Sequence, residues 1–191
     1  MKISVERLIR SKDHLIEHLR EFCEDDQETL RIANEISLKS MDIAEIARDS
    51  FPELTDLNKA NEWIYCNIKA FPRMQYFTAS IETGALTDVA GYALWVERGG
   101  YRHEAVFELQ QMAVKKELRA KGIGSELLQQ SFEEIKKGLL ARGDYLKMLL
   151  VTTRDGNFAE SIYEKILGVK TEITVKDAFG VNDELIMIGR Y

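Results

Sequence analysis

The sequence predicts an α/β fold in which a central mixed β-sheet is flanked by helices. Its 191 residues correspond to one domain, at a loose average of roughly 150 residues per domain. Hydrophobic residues make up 45% and charged residues 30%, which is the composition of an ordinary globular protein with a full core. Strand-like runs follow one another in the middle of the chain and alternate with helical segments later. This order is typical of a mixed sheet covered on both faces.

The amino-terminal segment has apolar residues at helical spacing, followed by an acidic break at residues 24–28. The spacing predicts an amphipathic helix over residues 4–24. We therefore expect an N-terminal helical extension over residues 1–29 and a main domain over residues 30–191. The apolar residues that carry the pattern are Val5, Leu8, Ile9, Leu15, Leu19 and Phe22.

Hydrophobic periodicity and the turn residues between periodic segments predict the remaining elements. Pro52 and Pro72 end the first two helices of the main domain, because proline disfavours helical backbone at the preceding residue. Helices are expected at residues 37–50, 57–71, 122–140 and 157–167. Strands are expected at residues 30–33, 74–82, 89–98, 104–114, 145–153, 169–176 and 185–191.

Composition excludes several classes of protein. The chain has 26 basic and 32 acidic residues, and a net charge of -6 argues against nucleic-acid binding and favours cationic substrates such as amines. No apolar run approaches the roughly 18 residues that cross a bilayer, and the amino terminus has no apolar signal core. Cys23 and Cys66 are too few for a disulfide framework, and Cys66 is expected in the core. We expect a cytoplasmic protein with no membrane or nucleic-acid partner.

The segment over residues 109–128 carries most of the chemical information. A predicted strand enters a loop with two glycines, and the loop opens a helix whose first amides have no partner within the helix. Basic side chains surround this helix start, so a polyphosphate ligand is expected there. Gly124 is followed by Ser125 rather than by lysine, and Leu127 stands where a dinucleotide site needs glycine. A helix start with small residues for packing is the alternative.

Two motifs in this order resemble those of the GNAT superfamily of N-acetyltransferases. The strand end Met112-Ala113-Val114 is followed by Arg119-x-x-Gly122-x-Gly124, which resembles the acetyl-CoA motif of that family. The block at residues 157–168 resembles the next family block, and the element order matches from residue 30 to residue 191. The resemblance implies the GNAT acyltransferase fold and an enzyme that uses acetyl-CoA. It would acetylate a primary amine of a small molecule, a protein or a peptide, without a metal.

The resemblance also implies roles for individual residues. Tyr163 would be the general acid for the coenzyme A thiolate, and Glu108 the general base for the amine. The backbone amide of Met112 would stabilise the oxyanion. The residues implied in cofactor binding are Met112, Ala113, Val114, Arg119, Ala120, Lys121, Gly122, Ile123, Gly124, Ser125 and Asn157.

Each of these roles has a structural alternative. Glu108 could be paired with a nearby arginine or lysine, and Glu104 is a second candidate base. Tyr163 could place its ring in the core and its hydroxyl at the surface. Asn157 stands six residues before Tyr163, where family members commonly have seven, and with Glu160 it resembles a helix capping box. One extra residue before Gly168 also departs from the family pattern.

Two other functions compete with acetyl transfer. The chain could be a non-catalytic sensor that binds acyl-CoA, because Asn157 is displaced from its family position. His14, Glu17 and His18 match the inverted zinc-peptidase pattern, with two histidines four residues apart on a predicted helix. The acceptor amine is not readable from the sequence, and the resemblance also allows a homodimer.

Overall fold

A computed structural model describes residues 3–9, 27–51, 54, 56–83, 86–100, 102–178 and 182–191. Within these residues the strands are β1 (Ile3–Arg7), β2 (Met74–Thr83), β3 (Leu86–Arg98), β4 (Glu104–Val114), β5 (Tyr145–Arg154), β6 (Lys170–Val175) and β7 (Glu184–Arg190). The helices are α1 (Gln27–Ser50), α2 (Leu57–Ile68), α3 (Ile123–Ala141) and α4 (Glu160–Leu167), with a short 3-10 helix at Lys116–Leu118.

The strands form a mixed sheet in the order β1-β2-β3-β4-β5-β7-β6. Strands β4 and β5 are parallel, whereas β1 with β2, β5 with β7, and β6 with β7 are antiparallel. A parallel pair needs a long crossover connection, and helix α3 supplies it between β4 and β5. The predicted mixed sheet with flanking helices is therefore confirmed.

The chain divides into two compact units, the first made of residues 1–94 and 112–127. In this unit Asp56 caps the start of α2, and its side chain accepts from the amide of Lys59 at 3.0 Å. Asn67 on α2 donates to the Tyr76 hydroxyl at 3.2 Å, which fixes the helix on β2. The buried faces of α1 and α2 carry apolar residues at helical spacing: Ile43, Ala44, Ala47, Ala60, Ile64 and Ile68.

The second unit comprises residues 95–111 and 128–191. Its core is built around Trp95, whose ring stacks on Phe132 with centroids 6.0 Å apart. The Trp95 indole N–H donates to the Ser131 hydroxyl at 3.0 Å, which satisfies a fully buried donor. Helix α4 ends at Gly168, whose φ of 64° is the left-handed conformation that favours glycine at helix ends.

Most predicted elements are confirmed within a few residues, but two are wrong. Residues 30–33 belong to α1, because good helix formers such as Leu30 and Ala33 continue the helical segment that follows. Residues 3–7 form a strand in which Val5 is paired with Ala79, and alternation of apolar and polar residues explains it. Residues 10–24 lie outside the described residues, with His14, Glu17 and His18. The boundary at residue 30 stays a prediction, and helix α1 crosses it.

The prediction that Cys66 of α2 lies in the core is also wrong. Cys66 is exposed and reduced rather than buried, because it lies on the outer side of the helix opposite Ile64 and Ile68. Among the described residues no helix is both long and apolar enough to cross a membrane.

Candidate functional site

Strands β4 and β5 stop pairing before either strand ends. Their register runs from Glu104 opposite Tyr145 to Leu109 opposite Val151. Strand β4 nevertheless continues to Val114, and β5 continues beyond Val151. Backbone groups of β4 after Leu109 therefore lack β5 as a hydrogen-bond partner, although such groups almost always need one. The end of β4 therefore extends beyond its pairing with β5.

The loop after β4 holds an unusual backbone shape. The amide of Lys115 donates to the Ala90 carbonyl at 2.9 Å, which attaches the start of the loop to β3. Ala120 has a φ of 60° and Gly122 a φ of 82°. The left-handed region is uncommon for a residue with a Cβ atom and costs roughly 1–2 kcal/mol. Strain of this kind often occurs where a backbone clamps a ligand.

The first turn of helix α3 presents free amides. The Glu126 amide donates to the Gly122 carbonyl at 3.0 Å, so the helical bonds begin there. The amides of Ile123, Gly124 and Ser125 have no hydrogen-bond partner among the residues that the structure describes. Free amides at a helix N-terminus attract anions. The first unit therefore has free amides at the place where the sequence predicts an anion site.

Gly124 is not needed by the packing of the chain itself. A Cβ atom added there would lie 3.6 Å from Val114 Cγ2 and 3.9 Å from Met112 Cε, which are ordinary van der Waals contacts. Glycine inside a helix costs roughly 0.5–1 kcal/mol relative to alanine. The chain thus has glycine where alanine would fit, and close approach of a ligand to the helix start would account for it.

Arg119 braces the loop. Its Nε donates to the Val114 carbonyl at 3.0 Å, and its Nη2 donates to the Ser50 hydroxyl at 3.2 Å. The sequence predicted a direct contact between Arg119 and the cofactor. These bonds instead favour a role in which Arg119 fixes the loop to the end of β4 and to the end of α1. Two lysines of the loop, Lys116 and Lys121, are exposed, and Lys115 at its start is half-buried.

The predicted base is part of an ion pair in the second unit. Arg98 donates to Glu108 Oε2 from Nε at 2.6 Å and from Nη2 at 2.5 Å. The Glu108 side chain is 17% exposed. Its Oε1 has no partner in the described part of the chain. The ion-paired alternative is therefore present, and one carboxylate oxygen is still available. The rival base Glu104 is exposed, and its hydrogen bond from Lys147 lowers its pKa.

Tyr163 is buried on helix α4. Burial raises the pKa of its hydroxyl to about 12, so the phenol keeps its proton at neutral pH. The hydroxyl has no hydrogen-bond partner among the described residues. The alternative with its ring in the core is correct for the ring, and the unpaired hydroxyl still allows the acid role.

Asn157 is held locally. Its Nδ2 donates to Thr153 Oγ1 at 2.9 Å, and its Oδ1 accepts from the Ala159 amide at 3.1 Å. Helix α4 begins at Glu160. A capping box would need the Glu160 carboxylate to accept from the backbone N–H of Asn157, but it accepts from the Thr171 hydroxyl instead. The predicted capping box is therefore wrong. The local capping role is favoured over cofactor contact, because the side-chain nitrogen and the side-chain oxygen of Asn157 both have partners within the chain.

Two residues of this region were missed by sequence reasoning. Arg98 precedes the turn at Gly99-Gly100, and the hairpin it begins brings it beside Glu108, so a hairpin register could have found it. Gln110 has a buried side-chain oxygen that has no hydrogen-bond partner among the described residues. Only packing reveals that feature, and no sequence signal marks it.

Comparisons with known proteins indicate one family and one fold. Residues 72–166 match the family model described as an acetyltransferase (GNAT) domain. A ribosomal-protein-alanine N-acetyltransferase from Brucella melitensis is similar in structure, with TM-score 0.59 and 20% identity over 81% of this chain and 96% of that chain. An aminoglycoside 6'-N-acetyltransferase complexed with coenzyme A has TM-score 0.59 and 15% identity, over 100% and 97% of the two chains.

A third structure, a GNAT-family acetyltransferase from Bacillus anthracis, has TM-score 0.58 and 19% identity, over 80% of this chain and 89% of that chain. These identities are low, so the structural likeness concerns the fold. No curated protein matches the chain.

Proposed function

The chain belongs to the GNAT superfamily of acetyltransferases, and we propose that it transfers an acetyl group from acetyl-CoA to a primary amine. The observation that carries the proposal is the first turn of α3, where three free amides follow a strained, lysine-bearing loop. That arrangement suits a diphosphate better than a single carboxylate, because several donors and cations are available together.

The residues present fit coenzyme A. The backbone of residues 120–125 would hold its diphosphate, with Lys121 close to the charge. Residues 112–114 continue β4 beyond its register with β5, so their backbone groups are suited to bind the pantetheine amides. When bound, acetyl-CoA supplies an activated thioester. The Met112 amide would stabilise the oxyanion that forms when the amine attacks.

Attack requires a neutral amine, and Glu108 is suited to remove its proton. Its Oε1 is free to accept a proton directly or through a water molecule, while Oε2 remains bound to Arg98. The new bond joins the amine nitrogen to the acetyl carbon, and the carbon–sulfur bond breaks. The proton of the amine goes to Glu108 or water, and the thiolate receives one from an acid.

Tyr163 is the candidate for that acid. Its pKa of about 12 lies above that of a free thiol, near 8.5, so proton transfer in water would be uphill. Burial that raises the pKa of a phenol also raises that of a thiol, because both lose a solvated anion. Transfer is therefore favourable only if the thiolate is desolvated as well.

The acceptor is proposed as a class. The similar structures are named for a ribosomal-protein alanine and for an aminoglycoside, and both names denote amine acceptors. A net charge of -6 favours a cationic acceptor of either kind. We also propose that the protein is cytoplasmic and that it forms a homodimer.

The test has two steps. Acetyl-CoA at 100 times its Kd should stabilise the full chain by about 2.7 kcal/mol, measured as a rise in Tm. Thiol release should then be followed with an alkyl diamine, an aminoglycoside and a peptide with N-terminal alanine. No rise in Tm at millimolar acetyl-CoA would overturn the proposal. Binding without acetylation of any amine would favour the non-catalytic sensor.

A further inference from the structure

Gly91 lies on β3 at a place where no side chain fits. A Cβ atom added there would lie 2.7 Å from the carbonyl oxygen of Ala113, 3.1 Å from Val114 Cγ2 and 3.3 Å from Val114 Cα. Two of these three atoms belong to the backbone of β4, which cannot move aside as the end of a side chain can. The φ of Gly91 is not positive, so its own conformation would suit any residue. Close approach of β4 is therefore what requires glycine at this position.

The same part of β3 holds the start of the loop after β4. The amide of Lys115 donates to the carbonyl of Ala90, the residue before Gly91, at 2.9 Å. Gly91 is buried, and it belongs to the first unit together with residues 112–125. Strand β3 thus lies directly against the backbone of residues 113–115, where β4 passes into the loop proposed to hold the diphosphate.

The close approach also shows how one peptide group of β4 is turned. The β4 atom nearest to the missing side chain of Gly91 is the Ala113 oxygen, so the Ala113 carbonyl is turned towards β3. The peptide bond between Ala113 and Val114 is trans, and in a trans peptide the N–H points in the direction opposite to the C=O. The Val114 amide is therefore directed away from Gly91.

We propose that Gly91 is a positioning residue for the cofactor. It allows the Ala113–Val114 peptide to keep this orientation, in which the Val114 amide donates to a carbonyl of the pantetheine arm. The assignment rests on the proposed binding of acetyl-CoA. Gly91 touches no ligand and acts only through the backbone of β4. A methyl group at position 91 would push the Ala113 carbonyl away, and the Val114 amide would turn with it because a peptide unit moves as one plane.

Gly189 on β7 offers a matched control, because it is a strand glycine with equally little room. A Cβ atom added there would lie 2.9 Å from Tyr191 Oη and 3.2 Å from Val169 Cγ1, and its three nearest atoms all belong to side chains. Gly189→Ala should therefore lower stability by crowding side chains, without turning a peptide group of the proposed cofactor site.

The experiment compares the Kd for acetyl-CoA and the Tm of the two alanine variants. Both variants should have a lower Tm than the parent. Gly91→Ala should raise the Kd by about 3- to 10-fold, the value of one hydrogen bond, whereas Gly189→Ala should leave the Kd unchanged. Gly91→Ala is also made in a Val114→Ala background, which removes the contact with Cγ2 and keeps that with the Ala113 oxygen. The Kd should still rise there relative to Val114→Ala alone.

Hydrogen exchange measured by NMR gives a second test, which needs no variant to fold. In the parent, saturating acetyl-CoA should slow exchange of the Val114 amide hydrogen, because the ligand accepts a hydrogen bond from it. Unchanged exchange of this hydrogen in the presence of bound acetyl-CoA would overturn the inference.

The outcomes separate this assignment from the proposed function. If the parent binds acetyl-CoA and Gly91→Ala binds it equally well, the assignment is wrong and the proposed function stands. An equal rise in Kd for Gly91→Ala and Gly189→Ala would show a purely structural role for Gly91 and also overturn the inference. A parent that does not bind acetyl-CoA would overturn both.

Discussion

Arg98 grips a single oxygen of Glu108: its Nε and Nη2 lie 2.6 Å and 2.5 Å from Oε2. Since both donors bind the same atom, the pair fixes the carboxylate without closing its second oxygen. A base must keep one oxygen available, and Oε1 has no partner in the described part of the chain. We therefore propose that Arg98 acts as a positioning residue for Glu108 in the proposed reaction.

The first prediction concerns this pair. Glu108→Gln should lower kcat by on the order of 100-fold, because loss of a general base costs about that much. Arg98→Gln should lower kcat less, and the double variant should match Glu108→Gln, since Arg98 acts only through the carboxylate. Steady-state kinetics of the three variants gives the answer. Additive losses would show that Arg98 has a role independent of Glu108.

A matched control is available in the same unit. Arg142 donates to both carboxylate oxygens of Glu97, and it lies after helix α3 without any proposed role in the reaction. Arg142→Gln breaks an arginine–glutamate pair that binds through both carboxylate oxygens and lies outside the proposed site. Its kcat should equal that of the parent, whatever its effect on Tm.

The second prediction uses the pKa of Tyr163. Its hydroxyl titrates near 10 in the unfolded chain and at about 12 in the folded chain, so its contribution to stability is complete below pH 10. Between pH 10 and 12 the unfolded state loses the proton first, and the folded state becomes relatively less stable. The parent should therefore lose about 3 kcal/mol over this range that Tyr163→Phe does not lose.

Urea unfolding at several pH values measures this difference. Other buried tyrosines, such as Tyr76, titrate in both proteins and cancel in the comparison. Parallel curves for the two proteins up to pH 12 would show that the Tyr163 hydroxyl titrates normally. At neutral pH, Tyr163→Phe should bind acetyl-CoA as the parent does and turn over more slowly, by about 10-fold or more.

The third prediction separates stability from binding at the two glycines of the loop. Gly124→Ala should stabilise the chain by about 0.5–1 kcal/mol, since its Cβ meets only ordinary contacts. The same Cβ should weaken acetyl-CoA binding if the ligand approaches the helix start. Gly122→Ala should instead lower stability, because its φ of 82° disfavours any side chain. Tm and isothermal titration of acetyl-CoA check both variants. Tighter or equal binding by Gly124→Ala would contradict a diphosphate site there.

Local signals explain how much could be predicted from the sequence. The strand, loop and helix around Gly122 were found because periodicity and glycines act over a few residues. Strand β1 was missed because its partner, Ala79, is far along the chain, so pairing decides its conformation rather than local spacing. The first half of α1 was misread because the four residues Leu30 to Ala33 are too short a segment for periodicity to separate helix from strand.

Hydrogen bonds and ion pairs between side chains were harder to predict from the sequence than helices and strands. The residue types of Glu108 and Tyr163 suggested acid–base roles, but burial and partners decide what each group can do. The bond from Arg119 to Ser50 joins positions 69 residues apart, and no motif encodes it. The unsatisfied oxygen of Gln110 depends on every neighbour that fails to donate to it, so it is visible only in the folded chain.

The fourth prediction tests the brace at Arg119. Arg119→Gln removes the donors to the Val114 carbonyl and to Ser50, so the loop should lose its fixed shape while the free amides of α3 remain. The Kd for acetyl-CoA should rise by about 5- to 30-fold, because two hydrogen bonds at about 0.5–1 kcal/mol each no longer organise the site. Ser50→Ala removes one of the two and should show a smaller rise. Lys121→Gln is the comparison for charge alone, since its effect should shrink with added salt, whereas that of Arg119→Gln should persist. Equal salt dependence for Arg119→Gln and Lys121→Gln would indicate that Arg119 acts through its charge rather than through the loop.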